Sequence, residues 1–396
     1  MALPKAKFEL EFSHGSVYGE EERQAVLEVL DASAPSCGAQ VLEFEREFAA
    51  YCGTRYGLAV SSATAGLSLA LIAAGVGPGD EVITTPVSWI STANAAAALG
   101  ATVVFADVDR CTLNLDPDSV ARKITGRTRA ILPVHLFGQC ADMDGLIALA
   151  RPRGIPVIED AAHAPGAEWK GRKAGSLGTI GVFSFHQQKN MVTLGEGGMI
   201  TTDSQAAYEN MLSHRSLCCR TYDPKGKYLP IDEAAHPMGK RYWRLEFDDI
   251  GYNYRMTDMQ AAVGRIQLRK LDRLNARRIE IAGKYREGLR GIGGLDLPQP
   301  PSHLKHVFHA YLVLVAPDFR LSKEDFMWEL YTSRQIKVWS HYMPIHLTDI
   351  YRRLGHHPGE CPVAEQMFER YVSIPIHPRM NDEAIAYVID SIRELA

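Results

Sequence analysis

Between Thr64 and Phe185 the chain alternates strand-like and helix-like segments, and this alternation restricts the possible fold more than any other feature of the sequence. The pattern predicts a helix at about Thr64–Ala74 closed by Gly75, a strand at Val82–Thr85, a helix at Ser91–Leu99 closed by Gly100, and strands at Thr102–Ala106 and Arg129–Val134. A helix at Met143–Ala150 and strands at Pro156–Ile158 and Val182–Phe185 complete the run. Strands joined through helices return to the same end of the sheet and so lie parallel, with helices on both faces. Two helices precede this region: Ala25, Val26, Val29 and Leu30 recur at helical spacing behind an acidic first turn, and Val41, Phe44 and Phe48 repeat the pattern.

A chain of 396 residues exceeds the roughly 250–300 residues at which a single core stops growing. The expectation is a large cofactor-binding domain over residues 1–260, with the N-terminal helices, and a smaller C-terminal α+β domain over residues 261–396. The change comes after Met256, where one long amphipathic stretch, Asp258–Arg290, leads through the Pro-rich joint LPQPPSH at 297–303 into a mixed tail. Between Cys219 and Phe247 lies a polar and aromatic segment without period, longer than the ~12–15 residues at which structureless loops become uncommon. Its Tyr228, Tyr242 and Trp243, with nearby Lys and Arg, suit sugar stacking and anion contact; an extended surface loop without function is the other reading.

The net charge of −4 comes with Lys and Arg scattered along the chain, so a nucleic-acid partner is not expected and small-molecule chemistry is favoured. Seven cysteines, an odd count without C-x-x-C spacing, argue for reduced thiols and a cytoplasmic protein and against a disulfide framework or a zinc site. The opening MALPKAKFEL lacks the pattern of an export signal, and the apolar stretch from Ala95 to Ala106 is too short to span a bilayer.

Crossover sheets bind ligands outside the carboxyl ends of their strands, and polar residues collect at those ends here. Ser61 to Thr64 follow Ala59–Val60 and open a helix, which suits either phosphate capture by free N–H groups or ordinary N-capping. Glu159-Asp160-Ala161-Ala162-His163 follows another strand; its Asp and His could form a relay, ligate a metal, partner a heteroaromatic ring, or merely cap a helix. After Val182–Phe185 comes His186-Gln187-Gln188-Lys189, and then the turn Leu194-Gly195-Glu196-Gly197-Gly198. A Lys so close to a buried strand is seldom a purely solvated charge, and its chemical use there is as an amine nucleophile that forms a Schiff base. Neither G-x-x-x-x-G-K-[ST] nor G-x-G-x-x-G occurs, which removes the nucleoside-triphosphate and dinucleotide readings. A phosphate cradle, a strand-end Asp and a later Lys together supply what pyridoxal 5'-phosphate requires.

The segments SSATAGLSLAL, PVSWISTANA, FADVDRCTLNLD, PVHLFGQCADMD, IEDAAHAPGA, FSFHQQKNMVTLGEGGMI, GYNYRMTDMQAA and HYMPIHL make the match specific. In order and spacing they resemble the DegT/DnrJ/EryC1/StrS family of sugar aminotransferases, from about Ser16 to Ile392. The resemblance implies a fold type I, aspartate-aminotransferase-like homodimer in which both subunits build each active site. Lys189 is then the Schiff-base and proton-moving lysine, Asp160 the partner of the pyridine nitrogen, His163 the residue beside the ring hydroxyl, and Trp89 the stacking aromatic. Ser184 with the amides of Ala63 and Thr64 matches the phosphate cradle, Asn253 the residue that reaches the phosphate from the partner subunit, and Arg255 a contact to the donor carboxylate. His341 and Tyr342 match the motif at the active-site mouth. The usual Gly before Thr64 is Ala63, and Trp89 replaces the commoner Phe or Tyr.

A sugar-deoxygenating branch of the family carries His where Lys189 stands, so transamination is favoured over dehydration. The implied reaction moves an amino group from L-glutamate or L-glutamine to a nucleotide-linked 3- or 4-keto-6-deoxyhexose or, following Gln187-Gln188-Lys189, to a keto-cyclitol. A sugar dehydratase and a non-catalytic regulatory homologue are the rival readings. His303-x-x-His306-x-x-His309 raises the question of a metal, but no Cys or carboxylate completes a ligand set and none is expected.

Overall fold

The computed structural model describes residue 10 and residues 15–32, 36–219 and 245–396; most of the polar segment between Cys219 and Phe247, including Tyr228, Tyr242 and Trp243, lies outside them. Helices α1 (Glu20–Asp31) and α2 (Ala39–Cys52) lead into strand β1 (Tyr56–Val60) and helix α3 (Ala63–Ala73). There follow β2 (Glu81–Thr84), α4 (Ser91–Ala97), β3 (Thr102–Phe105), α5 (Pro117–Lys123), β4 (Thr128–Leu132), α6 (Met143–Ala150) and β5 (Ile158–Asp160). The short pair β6 (Glu168–Trp169) and β7 (Arg172–Lys173) precedes β8 (Ile180–Ser184), β9 (Gly198–Thr202) and α7 (Gln205–Arg215).

Seven of these strands form two hydrogen-bonded groups, β3-β2-β4 and β5-β8-β9-β1, and the parallel bridges Ile131 to Val157 and Val134 to Asp160 join them edge to edge. Strand β9 pairs antiparallel with both β8 and β1, while β2 with β3, β2 with β4, and β5 with β8 are parallel. The mostly parallel, doubly covered sheet expected from the alternation is therefore present, with β9 as its reversed strand. Side-chain alternation shows why helices must cover both faces. Val60, Val82, Leu132, Val182 and Ile200 enter one apolar cluster, and their neighbours Ala59, Ile83, Ile131, Phe183 and Met199 enter another.

Local sequence explains several boundaries. Ser62 caps α3 by accepting from the Ala65 amide at 3.2 Å. Gly66 lets this helix approach the sheet, because a Cβ there would lie 2.8 Å from Cγ1 of Val182. Strand β5 begins two residues later than the sequence pattern suggests, since Pro156 has no N–H to give, and it ends on Asp160. Asp160 is thus the last residue of the strand, its amide bonded to the Pro133 carbonyl at 2.9 Å. Helices α5 and α7 and strand β9 are not expected from the alternation; the last hides in a glycine-rich run that reads as a turn.

The remainder comprises α8 (Asp258–Gly288), β10 (Leu295–Asp296), β11 (Leu304–Lys305), β12 (Tyr311–Val315), α9 (Lys323–Thr332), α10 (Asp349–Arg353), α11 (Pro362–Phe368), β13 (Tyr371–Ile374) and α12 (Asp382–Leu395). A reciprocal cap between Thr257 and Gln260 starts α8. At about 1.5 Å per residue this helix is roughly 46 Å long. Its Ala261, Leu268 and Leu271 belong to the cluster under the sheet, whereas Ile281, Ala282 and Tyr285 join Val313, Phe326, Val372 and Val388 in a third core. Among the described residues no helix is long and apolar enough to cross a membrane.

Candidate active site

A cavity of about 670 Å³ opens at the carboxyl ends of β5 and β8 and the N-terminus of α3. Asp160 is buried and takes hydrogen bonds from Thr92 Oγ1 at 2.8 Å and from the Ala162 amide at 3.1 Å. Burial raises its pKa above the ordinary carboxylate value; the two hydrogen bonds and the charge of Lys189 act in the opposite direction. Among the described residues no cationic nitrogen pairs with this carboxylate directly. A buried anion held by neutral donors and turned into a cavity is suited to a cationic ring nitrogen. Its neighbour Glu159 faces the other way, where it accepts from His135 Nε2 or shares its proton at 2.8 Å and takes the amides of Gly175, Leu177 and Gly178 at 2.7, 2.8 and 2.6 Å. That carboxylate ties down the turn that feeds β8.

Lys189 projects into the same cavity from the loop after β8. Burial lowers the pKa of its amine to about 8, with the charges of Asp160 and Glu196 opposing the shift. The loop is held at several points: Phe185 and Gln187 amides donate to Gly197 and Gly195 carbonyls at 2.9 and 3.0 Å, and the Lys189 amide donates to His186 O at 2.8 Å. Gly15 packs so tightly against this loop that a Cβ on it would overlap the Lys189 carbonyl. Lys189 is therefore a buried amine on a braced loop, facing the same cavity as the Asp160 carboxylate.

His163 lines the cavity, with the Phe137 amide donating to its Nδ1 at 3.4 Å and Tyr342 Oη lying 3.3 Å from its Nε2. Burial, with the nearby charge of Lys189, pushes its pKa well below the ordinary imidazole value, so the ring is neutral. Ala63 and Thr64 supply the open first turn of α3, and Ser184 ends β8 beside them. Trp89, 61% exposed, stands at the mouth with its ring edge-on to Tyr342 at 6.2 Å. His341 and Tyr342 also line the cavity, and His341 Nδ1 meets Ser373 Oγ at 3.0 Å.

The structure thus brings together Ala63, Thr64, Trp89, Asp160, His163, Ser184, Lys189, His341 and Tyr342. It does not bring Asn253 or Arg255 to the same cavity within one chain. Asn253 is exposed on a bridge to Ser216, and Arg255 bridges to Val60 with its Nη1 buried and, among the described residues, without a hydrogen-bond partner. Sequence reasoning missed Thr92, His186, Glu196, Trp339 and Met343, which also line the cavity, as does Gln188. Thr92 and Glu196 lie within the family-like segments, but their direction is set by a helix start and by a turn, which have no side-chain period. Met343 lies in the HYMPIHL segment beside His341 and Tyr342, and Trp339 lies outside every such segment. The spaced histidines do not converge: His303 packs edge-on to Trp169, His306 stacks on Phe308 and His309 on His163. Among the described residues no group of three or more His, Cys, Asp or Glu is placed to hold a metal ion.

Comparison with known proteins identifies the family. The model of the DegT/DnrJ/EryC1/StrS aminotransferase family matches residues 17–393. The chain is 38% identical over 384 residues to the spore coat polysaccharide biosynthesis protein SpsC of Bacillus subtilis (strain 168), covering 95% of each. It superposes with a TM-score of 0.84 on DesV of S. venezuelae, solved in complex with a ketimine intermediate, at 35% identity and covering 95% of this chain and 94% of that one. The putative sugar aminotransferase Spr1654 of Streptococcus pneumoniae, solved in a PMP-form, gives a TM-score of 0.88 at 27% identity, covering 97% and 98%. Its PLP-form gives 0.87 at 26% identity with the same coverage. A braced lysine, a buried strand-end aspartate and an open helix N-terminus around one cavity, in a chain matched over nearly its whole length, place this protein in the DegT/DnrJ/EryC1/StrS aminotransferase family as a fold type I transaminase.

Proposed function

We propose that the protein binds pyridoxal 5'-phosphate in this cavity and moves an amino group from L-glutamate or L-glutamine to a keto-sugar, most simply a nucleotide-linked 3- or 4-keto-6-deoxyhexose. The observation that carries the reading is the pairing of Asp160, a buried carboxylate that no cation among the described residues contacts directly, with Lys189, an amine whose pKa is lowered to about 8, across one cavity. The residues fit the cofactor: the α3 amides of Ala63 and Thr64 with Ser184 would hold its phosphate, Asp160 its ring nitrogen, His163 its ring hydroxyl and Trp89 one ring face. When bound, pyridoxal phosphate supplies an electrophilic carbon for amines and a ring that takes up the electron pair released as a substrate C–H bond breaks.

The chain's own contribution is positional and protic. Thr92 and the Ala162 amide hold the Asp160 carboxylate in one orientation, so that it meets a cation without reorganising. With a pKa of about 8, roughly a tenth of Lys189 is unprotonated at pH 7, far more than of a solvated lysine, which suits both nucleophilic capture and later transfer of a proton through Nζ. Neutral His163, with its Nε2 hydrogen directed past Tyr342, offers a donor to a ring oxygen. Trp89 and Trp339 are exposed at the mouth and give flat surfaces for a sugar or nucleobase. SpsC, by its name a spore coat polysaccharide biosynthesis protein, and Spr1654, described as a putative sugar aminotransferase, support a sugar acceptor.

A keto-cyclitol acceptor is the second reading, favoured by Gln188 at the cavity wall and by Lys189 being, among the described residues that line it, the one Lys or Arg. A neutral polyol needs no further cation, whereas a diphosphate does. Addition of L-glutamate, and separately of L-glutamine, to the protein loaded with pyridoxal phosphate tests the first half-reaction. Loss of the visible absorbance with either supports the reading and names the donor, and nucleotide-linked keto-sugars and keto-inositols are then compared as acceptors. A loaded protein that neither amino acid bleaches, or that deoxygenates a sugar without forming an amine, overturns it.

A further inference from the structure

His309 does not line the cavity, yet its ring stacks on that of His163 with centroids 4.2 Å apart and planes 21° apart. It forms the wall behind that residue. The His309 amide donates to the Phe137 carbonyl at 2.8 Å, and its Nδ1 lies 3.3 Å from Asn190 Oδ1. Asn190 spends its amide hydrogens on Asn275 Oδ1 and on the Val307 carbonyl, both at 3.0 Å, so Oδ1 is an acceptor and His309 Nδ1 the donor. Asn275 in turn donates to the Pro165 carbonyl at 2.9 Å. The buried Arg278 donates to Phe308 O at 3.0 Å and approaches His309 O at 3.5 Å.

Phe137 connects the two histidines. Its carbonyl receives the His309 amide while its own amide donates to His163 Nδ1, which places the His163 hydrogen on Nε2. Phe137 sits at φ 57°, a left-handed conformation that a bulky residue keeps only when its surroundings determine it. Next to it, a Cβ on Gly138 would lie 2.9 Å from the His309 amide nitrogen and 3.0 Å from that of Phe308, so the backbone carrying His309 packs closely against this turn. Burial lowers the pKa of both imidazoles well below the ordinary value, and the stacked rings therefore meet without mutual charge repulsion.

We propose that His309 is a positioning residue for His163: its anchored ring holds the His163 imidazole in one orientation and one tautomer, with Nε2–H turned toward Tyr342 and the cavity. An aliphatic side chain would fill the volume but would let the His163 ring turn about its Cβ–Cγ bond and exchange the atom facing Phe137. The Asn190 hydrogen bond sets the rotation of the His309 plane and hence of the ring stacked upon it. This inference rests on the reading of His163 as the residue beside the cofactor's ring oxygen, but its geometry belongs to the chain alone.

The test uses the full chain labelled with ¹⁵N-histidine, with and without added pyridoxal phosphate, His163 being assigned by its loss in H163Q. In the unsubstituted protein His163 is expected as a single Nε2-protonated neutral tautomer. In H309L it is expected as a mixture of tautomers, and in H309F, which keeps a flat ring but not the bond to Asn190, as a mixture weighted toward the Nε2-protonated form. In the loaded enzyme H309L is expected to slow kcat of the donor half-reaction about tenfold with little change in KM, an effect that shrinks in an H163Q background. A single unchanged tautomer in H309L, or an equal loss in the H163Q background, overturns the proposal. If H309L does not fold, H309Q, which lacks the flat ring but keeps a polar group for Asn190, replaces it: mixed tautomers there support the proposal and a single unchanged one overturns it. Failure of every amino acid to bleach the loaded protein would count against the proposed function while the tautomer measurement still decides this one.

Discussion

Burial acts on Asp160 and Lys189 in opposite directions, and both shifts favour the neutral form. For Lys189 the consequence is kinetic. Its amine is a nucleophile only when unprotonated, so the rate of pyridoxal phosphate capture should rise with pH around a midpoint near 8 rather than above 10. Stopped-flow absorbance across that range would show it, and a midpoint above 10 would mean that the amine is solvated. For Asp160 the ionised form is the useful one. Asp160→Asn keeps the shape and removes the charge, and the donor half-reaction is expected to slow by about a hundredfold or more. Thr92→Val removes a donor that now lowers the Asp160 pKa, so the pKa should rise further. The acid limb of the pH profile with bound cofactor should then move to higher pH, and an unmoved limb would show that Thr92 does not act through Asp160. The types Asp, His and Lys, and the strand-end positions of Asp and Lys, were legible in the sequence. Thr92 was not, because its hydroxyl matters only once the start of α4 lies across the sheet end from β5.

Helix α3 shows how an element positions a site. Its first turn must reach the ends of β1 and β8, and Gly66 permits that closeness at one point of contact with Val182. Gly66→Val is expected to cost about 1–3 kcal/mol by overpacking, read by chemical denaturation, and to weaken phosphate retention as the helix start moves away. A variant as stable as the parent would mean that the helix shifts freely. The alternation of strand and helix was legible because period-two and period-3.6 patterns differ strongly in a buried sheet. Strand β9 was not, since its glycine and polar residues read as a turn, and pairing with β1 and β8 on both sides is what makes it a strand.

At the scale of the molecule, the fully buried Arg278 joins distant parts by donating to Gly15, Phe308 and Ile376 carbonyls at 2.6, 3.0 and 3.0 Å. Arg278→Met would strand those acceptors and should cost about 3 kcal/mol, measured as a lower denaturation midpoint with unchanged slope; no change would show that water replaces the guanidinium. Asn253 lies outside its own chain's cavity, and the proposal that it serves a partner's site predicts complementation. K189A and N253A chains, each inactive alone, should recover up to about a quarter of full activity when refolded together, because half of randomly paired dimers contain one intact site. No recovery would assign Asn253 to its own chain or to no site. Composition and periodicity by themselves determined that this chain forms a layered α/β sheet, since burial of two-faced strands leaves few alternatives, and local motifs placed Asp160, Ser184 and Lys189 at strand ends. Only the tertiary structure added Thr92 and Trp339 to the cavity wall and set His309 behind it. Trp339 and the stack of His309 upon His163 join segments separated by more than a hundred residues, and contacts of that range leave no period in a sequence.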